Sequence, residues 1–391
     1  MLRNTDHIQT THVGSLVRPQ QLVDHARNAS NGGGQNSAAY ADLLRGSVRD
    51  VVRQQVDLGI DIVNDGEYGK SAWHTYINER LTGFAQLPSE PNGTFGKDAR
   101  DFAEFYALPN MGLPPARSFV WTVTAPVTYC GQPMLQRDIA NLKAAAAEAG
   151  ASDVFMAAVA PASVAPGHQT RHYATDEESL FAIADALHEE YQAIVDAGLI
   201  LQVDDAYLAI KYDLMVPPAT LTDYRRWVEL RLAALNRALE GLPRERTRYH
   251  MCWGSWNAPH VSDVELKNVV DLLLQVRVGG FALEMANPRH EHEWRLWENV
   301  ALPSECILLP GVVSHATNIV EHPELVAERI TRLARIVGRE RVVAGTDCGF
   351  AQVAGLQRVH PSVMWAKLRA LVDGARLATA ELWGVGAAAP R

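Results

Sequence analysis

The sequence repeats one alternation eight times: a short apolar run, a loop, then a longer amphipathic segment. The apolar runs fall at 10–15, 60–67, 154–160, 200–206, 249–254, 281–286, 307–313 and 342–348. Runs of this length read as strands, and the longer segments as helices. A strand that rejoins its sheet in the same direction needs a crossover of about this size, so the alternation predicts a parallel sheet. Eight such units in 391 residues fit an α/β fold of the (β/α)8 TIM-barrel class. The rival, an open doubly wound sheet, calls for a glycine fingerprint after the first strand, and none follows 10–15.

Helix signals agree with this frame. Thr175-Asp176-Glu177-Glu178 and Ser262-Asp263-Val264-Glu265 read as capping boxes at helix starts. Pro323-Glu324 opens a helix that should stop near Gly338. Residues 222–242 form a long helix with charged and apolar faces. Two segments break the rhythm. Residues 27–38 contain Asn31-Gly32-Gly33-Gly34-Gln35-Asn36, lack the Gly-Lys pair of a phosphate loop, and read as a surface loop. Residues 84–136 are long, rich in Pro and Gly, and hold a β-rich piece at 118–130. They are expected to be an insertion after the second strand, a hairpin over the barrel mouth. The whole chain, 1–391, then reads as one catalytic barrel.

Composition narrows the function. A net charge of -9 argues against nucleic acid as a partner. The apolar runs are strand-length, which argues against a membrane span. The start Met1-Leu2-Arg3-Asn4-Thr5-Asp6-His7 lacks an apolar signal region, so a cytoplasmic location is expected. Four cysteines are too few for a disulfide framework and should be reduced thiols, free to bind metal.

The chemistry gathers where the runs end. Those ends are Gly14-Ser15, Asp65-Gly66-Glu67, Asp204-Asp205, His250-Met251-Cys252, Glu284, Ser314-His315 and Asp347-Cys348-Gly349. Barrel active sites sit at the carboxyl ends of the strands. Side chains two apart on a strand share a face, so His250 and Cys252 converge. With Glu284 and Cys348 they make a nitrogen, two sulfurs and a carboxylate, a donor set that suits one zinc ion. The plainer reading makes His250 and Cys252 core residues and Glu284 a cap or ion-pair partner. Four donors at one end of one barrel favour the ligands. Cys130 and Cys306 read as core thiols. His260, His290 and His292, beyond the strand ends, read as solvated loop residues.

These residues carry a resemblance. His12-Val13-Gly14-Ser15, Asn64-Asp65-Gly66-Glu67, Val203-Asp204-Asp205, His250-Met251-Cys252, Leu283-Glu284, Gly311-Val312-Val313-Ser314-His315 and Thr346-Asp347-Cys348-Gly349 run in the order seen in the catalytic, C-terminal barrel of cobalamin-independent methionine synthase. The sequence resembles that family over nearly its whole length. The resemblance implies that zinc binds a substrate thiol. It implies that Gly14, Ser15, Glu67 and Asp204 hold the amino-acid part of homocysteine, and that His315 lies near the methyl donor. The residues themselves leave His315 as either a proton donor or a hydrogen-bonded strand-end histidine. They leave Glu67 and Asp204 either to a substrate ammonium or to Arg18 or Lys70.

The expected activity is zinc-dependent transfer of a methyl group to a small-molecule thiol, with folate as a candidate methyl-donor substrate. Anionic ligands favour an electron-rich sulfur nucleophile, whereas a hydrolase needs a more electrophilic zinc. Departures from the family's pattern bear on the donor. There is room for one barrel only. Gly167 stands where the family has a tryptophan that stacks on folate, leaving Trp253 or Trp256 to replace it, and Val203-Asp204-Asp205-Ala206 replaces Ile-Asp-Glu-Pro. The alternatives are an epoxide:thiol transferase of the coenzyme M type, a zinc hydrolase, and a non-catalytic zinc-binding module.

Overall fold

The computed structural model describes residues 3–30, 38–88, 96–108, 119–164, 169–356 and 358–384. Of the surface loop expected at 27–38, residues 27–30 instead end the helix Gln20–Ser30 and residue 38 begins the helix Ala38–Leu58. Residues 31–37 and Gly167 lie outside the described residues. Ten strands occur among the described residues: β1 Ile62–Val63, β2 Phe84–Pro88, β3 Phe119–Val123, β4 Asp153–Val159, β5 Gln169–Thr170, β6 Ile200–Asp204, β7 Thr247–Met251, β8 Gly280–Leu283, β9 Ile307–Val313 and β10 Gly345–Thr346. Seven form one curled parallel sheet in the order β1-β4-β6-β7-β8-β9-β10. Thr10 closes it. It makes a parallel bridge to Ala344, and its carbonyl accepts from the Ile62 amide at 3.0 Å. The 10–15 run is therefore the eighth stave, and the fold is the expected barrel.

Several staves are shorter than the sequence predicts. The 60–67 run keeps only Ile62–Val63 as ladder, and 342–348 keeps Gly345–Thr346. Their polar ends leave the sheet to build the site. Gly14 has φ +133 and Glu67 φ +57, values that ladder backbone does not adopt.

The crossovers pack an apolar stripe on the barrel. Leu221–Ala238 starts with a capping box between Thr220 and Asp223 and buries Tyr224, Val228, Leu232 and Leu235. That spacing is one helical face, and each large side chain so buried contributes roughly 1.5–3 kcal/mol. Pro323–Val337 begins and ends as the sequence predicts, with Gly338 at φ +97. The capping box expected at Ser262 is not there. The chain forms only short turns, Leu266–Asn268 and Val270–Leu273, and the Glu265 carboxylate that would complete the box pairs with Lys267 at 2.6 Å.

The barrel interior is packed. Ile62, Phe155, Ile200, Ala282, Ile307, Leu309 and Val343 form one buried apolar group. Arg248 is fully buried with them, its guanidinium 3.9 Å over the Phe155 ring and its Nε donating to Gln202 at 2.8 Å. Outside the barrel, β2 pairs antiparallel with β3, and β5 joins β3 in parallel. The short helix Lys97–Asp101 docks on the loop after β7, where Asp98 accepts from the Val261 amide at 2.9 Å. No helix among the described residues is long and apolar enough to cross a membrane.

Candidate metal centre

β7 delivers His250 and Cys252 to one side of its end, and Cys348 is the second residue after β10. Their donor atoms all lie within 4.8 Å of one another, and all three residues are buried. The Cys252 and Cys348 sulfurs are 3.5 Å apart as free thiols. His250 Nδ1 sits 3.2 Å from the Ala282 carbonyl. A carbonyl only accepts, so Nδ1 carries the proton and the Nε2 lone pair faces inward. Nε2 is buried without a hydrogen-bond partner. Burial above all pushes His250 down to about 3, which leaves it neutral, as a ligand must be. The Cys348 thiol, burial and the Glu284 charge all push Cys252 up; a cation in their midst would act the other way. One orphaned imidazole nitrogen and two adjacent thiols fit a thiophilic cation such as zinc.

Glu284 stands beside this trio, not within it. Its carboxylate groups with His315 and Asp347, again with donor atoms inside 4.8 Å. It accepts from the Trp253 amide at 3.0 Å and the Asn287 side chain at 2.9 Å. Asp347 Oδ1 accepts from the amides of Met285 and Ala286, each at 2.8 Å, while Oδ2 has no partner. Burial first, and then the Glu284 charge, push the Asp347 carboxyl well up. His315 is 1% exposed, and neither ring nitrogen makes a well-formed hydrogen bond. Burial is the main force that pushes it down to about 3, although the Ser255 carbonyl lies near enough to favour its protonated form.

A second pair of carboxylates lies on the other flank. Asp204 ends β6 and pairs in register with His250 across the ladder. Glu67 is 2% exposed, and a Cβ on Gly14 would fall 2.5 Å from its Oε1, so the glycine makes room for it. Glu67 Oε2 has no hydrogen-bond partner. Arg18 does not pair with it; its donors go to the carbonyls of Glu67, Lys70 and Ala351. Lys70 gives its ammonium to the Ala157 carbonyl. Asp204 accepts from Gln202 at 2.7 Å, and burial followed by the Glu67 charge pushes it well up. Ser15 is buried beside Cys348: the Phe350 amide donates to its carbonyl at 2.7 Å.

Three expectations are corrected. His260 and His290 are not solvated; they are 6% and 3% exposed. His260 reaches the Asp263 carboxylate at 2.9 Å and the Trp256 carbonyl at 2.9 Å. His290 joins Asp263 at 3.0 Å and Glu293 at 3.0 Å. All four contacts are to groups that only accept, Asp263 being shared, so both rings are imidazoliums. Burial opposes the charge, but Asp263 outweighs it and holds each up to about 9. Only His292 is exposed, as expected. Cys130 is exposed rather than a core thiol, while Cys306 is buried. Trp253, 1% exposed and stacked on His290 at 3.8 Å, is a packing residue. Trp256 is half-buried. The signal for the histidine network was the spacing His260-x-x-Asp263 and His290-x-x-Glu293, each one turn apart.

Together these features define an eightfold α/β barrel with a buried histidine and two buried cysteines converging at its carboxyl end. The model of the cobalamin-independent synthase catalytic domain matches residues 8–94. The 2-hydroxypropyl-CoM lyase of Xanthobacter autotrophicus is 23% identical over 96% of each chain. A methionine synthase of Sulfolobus acidocaldarius is 22% identical over 96% of this chain and 93% of its own. The structure of a B12-independent methionine synthase from Shewanella in complex with selenomethionine superposes with a TM-score of 0.72 at 22% identity, covering 97% of this chain and all of that one. The chain is thus similar, over nearly its whole length, to members of the cobalamin-independent methionine synthase family, and shares their fold.

Proposed function

We propose that the protein is a zinc-dependent transferase that moves a methyl group onto the sulfur of a small amino thiol, homocysteine or a close analogue. The observation that carries this reading is the convergence of His250 with the Cys252 and Cys348 sulfurs, all three residues buried and His250 Nε2 without a partner. Glu284, the neighbouring carboxylate, is the fourth donor in this reading. A bound zinc ion supplies the positive charge that turns a guest thiol into a thiolate at neutral pH. Two cysteinates and a carboxylate bring three negative charges to the site. They favour an electron-rich sulfur over an acidified water.

Glu67 and Asp204 would receive the acceptor's ammonium, with Gly14 and Ser15 against its amino-acid portion. Two buried carboxylates, one with an unpartnered oxygen, suit a cationic group. His315, beside Glu284 and Asp347, would pass a proton to the departing donor atom, with the Ser255 carbonyl favouring its protonated form. 5-Methyltetrahydrofolate is the leading methyl donor, and half-buried Trp256 the ring on offer to stack with it.

A second reading, addition of a thiol to an epoxide, has the 2-hydroxypropyl-CoM lyase relative in its support. The Glu67–Asp204 pair weighs against an anionic acceptor such as coenzyme M. Zinc-loaded protein should methylate homocysteine from 5-methyltetrahydrofolate and leave coenzyme M untouched, and Cys348→Ser should lose most of its zinc. Turnover of coenzyme M with an epoxide but not of homocysteine, or a Cys348→Ser variant with full zinc content, would overturn the proposal.

A further inference from the structure

Cys252 follows β7, Glu284 follows β8 and Cys348 lies just past β10, with β9 between β8 and β10. In chain order, β8 and β10 are staves six and eight. A ligand set shared across that gap needs something that holds stave six at a fixed distance from stave eight. Ladder hydrogen bonds cannot do this directly, because β8 and β10 pair with β9 and not with each other.

Asp347 spans the gap. It is fully buried, one residue before Cys348. Its Oδ1 takes both the Met285 and the Ala286 amides at 2.8 Å, the two residues that directly follow Glu284. The side chain crosses β9 at Gly311. A Cβ there would fall on Asp347 Oδ1 well inside van der Waals contact, so glycine is required for the crossing. β9 pairs with β10 irregularly at this level: Gly345 stands opposite Gly311 and Thr346 opposite Val313. Oδ2, buried and unpartnered, faces the group formed with Glu284 and His315.

We infer that Asp347 is a positioning residue for the metal centre: through the amides of residues 285 and 286 it sets Glu284 against the Cys252–Cys348 pair, and an acceptor oxygen, not a negative charge, is what the task requires. The inference rests on the reading of Glu284 as a ligand. Outer partners that orient a metal ligand typically contribute 10–100-fold to affinity.

The test is zinc affinity, read by competition with a chromophoric chelator, in the parent and in Glu284→Ala, Asp347→Ala and Asp347→Asn. Asparagine keeps Oδ1 and removes the charge. Asp347→Ala should bind zinc at least about 10-fold more weakly, and Asp347→Asn should return to within about threefold of the parent. If Glu284→Ala weakens zinc while Asp347→Ala does not, the positioning role is overturned and the ligand reading stands. If Asp347→Asn is as weak as Asp347→Ala, charge and not acceptance matters, and the role is again overturned. If Glu284→Ala binds like the parent, the ligand reading fails and takes this inference with it. Amide exchange gives a readout that does not depend on the alanine variant folding. The Met285 and Ala286 amides should be strongly protected in the parent and in Asp347→Asn. Exchange at the rate of an open loop would contradict the inference.

Discussion

Glu67 shows how a single residue carries information that neighbouring sequence does not. Its backbone is left-handed, a conformation disfavoured for a side chain with a Cβ, and its carboxylate is buried with one oxygen unpartnered. Strain and an unsatisfied charge together mark a place shaped for a ligand. If that ligand is an ammonium, Glu67→Gln and Asp204→Asn should each raise KM for the amino thiol by roughly 10–100-fold, the range of a charged hydrogen bond. Zinc content should not change. Steady-state kinetics with homocysteine checks this, and an unchanged KM in both variants would remove the ammonium site. His250, Cys252 and Cys348 were legible because a two-residue period and strand-end placement suffice to bring them together. The burial of His260 and His290 was not. It depends on Asp263, which sequence reasoning assigned to a helix cap, and on a stacking partner, Trp253, from another loop.

At the scale of elements, loops rather than ladders hold the site. The segments after β7 and β8 are joined by His260, Asp263, His290 and Glu293. Both histidines have their proton affinity raised from about 6.5 to about 9. A raised value means that the stabilisation is complete below about 6.5 and is lost as pH rises through about 9. Thermal melts between those values should therefore show falling stability. Asp263→Asn should flatten that slope and lower stability by about 3–5 kcal/mol at neutral pH, the cost of unpairing a buried charge. An unaltered melting profile in the variant would count against the network. The loop after β9 has its own brace. Lys367, fully buried on Pro361–Trp383, pairs with Glu321 at 2.9 Å, and Glu321 accepts from the Ser314 amide at 2.9 Å. Lys367→Met leaves Glu321 buried without its cation. A destabilisation of about 3–5 kcal/mol is expected in denaturant unfolding. No loss would show that the pair holds nothing. The sequence signals for Pro323–Val337 and Gly338 were local and survived; the Ser262 box was equally local and did not form, its Glu265 pairing with Lys267 instead.

For the whole molecule, the eightfold alternation was enough to recover the barrel because the staves are mostly buried and long helices such as Asp176–Asp196, Leu221–Ala238 and Pro323–Val337 cross between several of them, although β7–β8 and β8–β9 are joined by short turns only. What the pattern misjudged was where the sheet stops. Residues 64–67 and 347–348 continue the apolar runs in sequence but leave the ladder in space, since the groups that would bind a cation and a substrate must turn into the mouth. The same turning explains why Glu284 stands with His315 and Asp347, a grouping no one-dimensional spacing encodes. This mouth brings two cysteines and a histidine together, and in the proposed function they hold a cation that accepts a guest thiol. Zinc K-edge absorption on the zinc-loaded protein, with and without homocysteine, tests it most directly: two sulfur ligands should become three when the thiol is added, and a sulfur count that stays at two would contradict it.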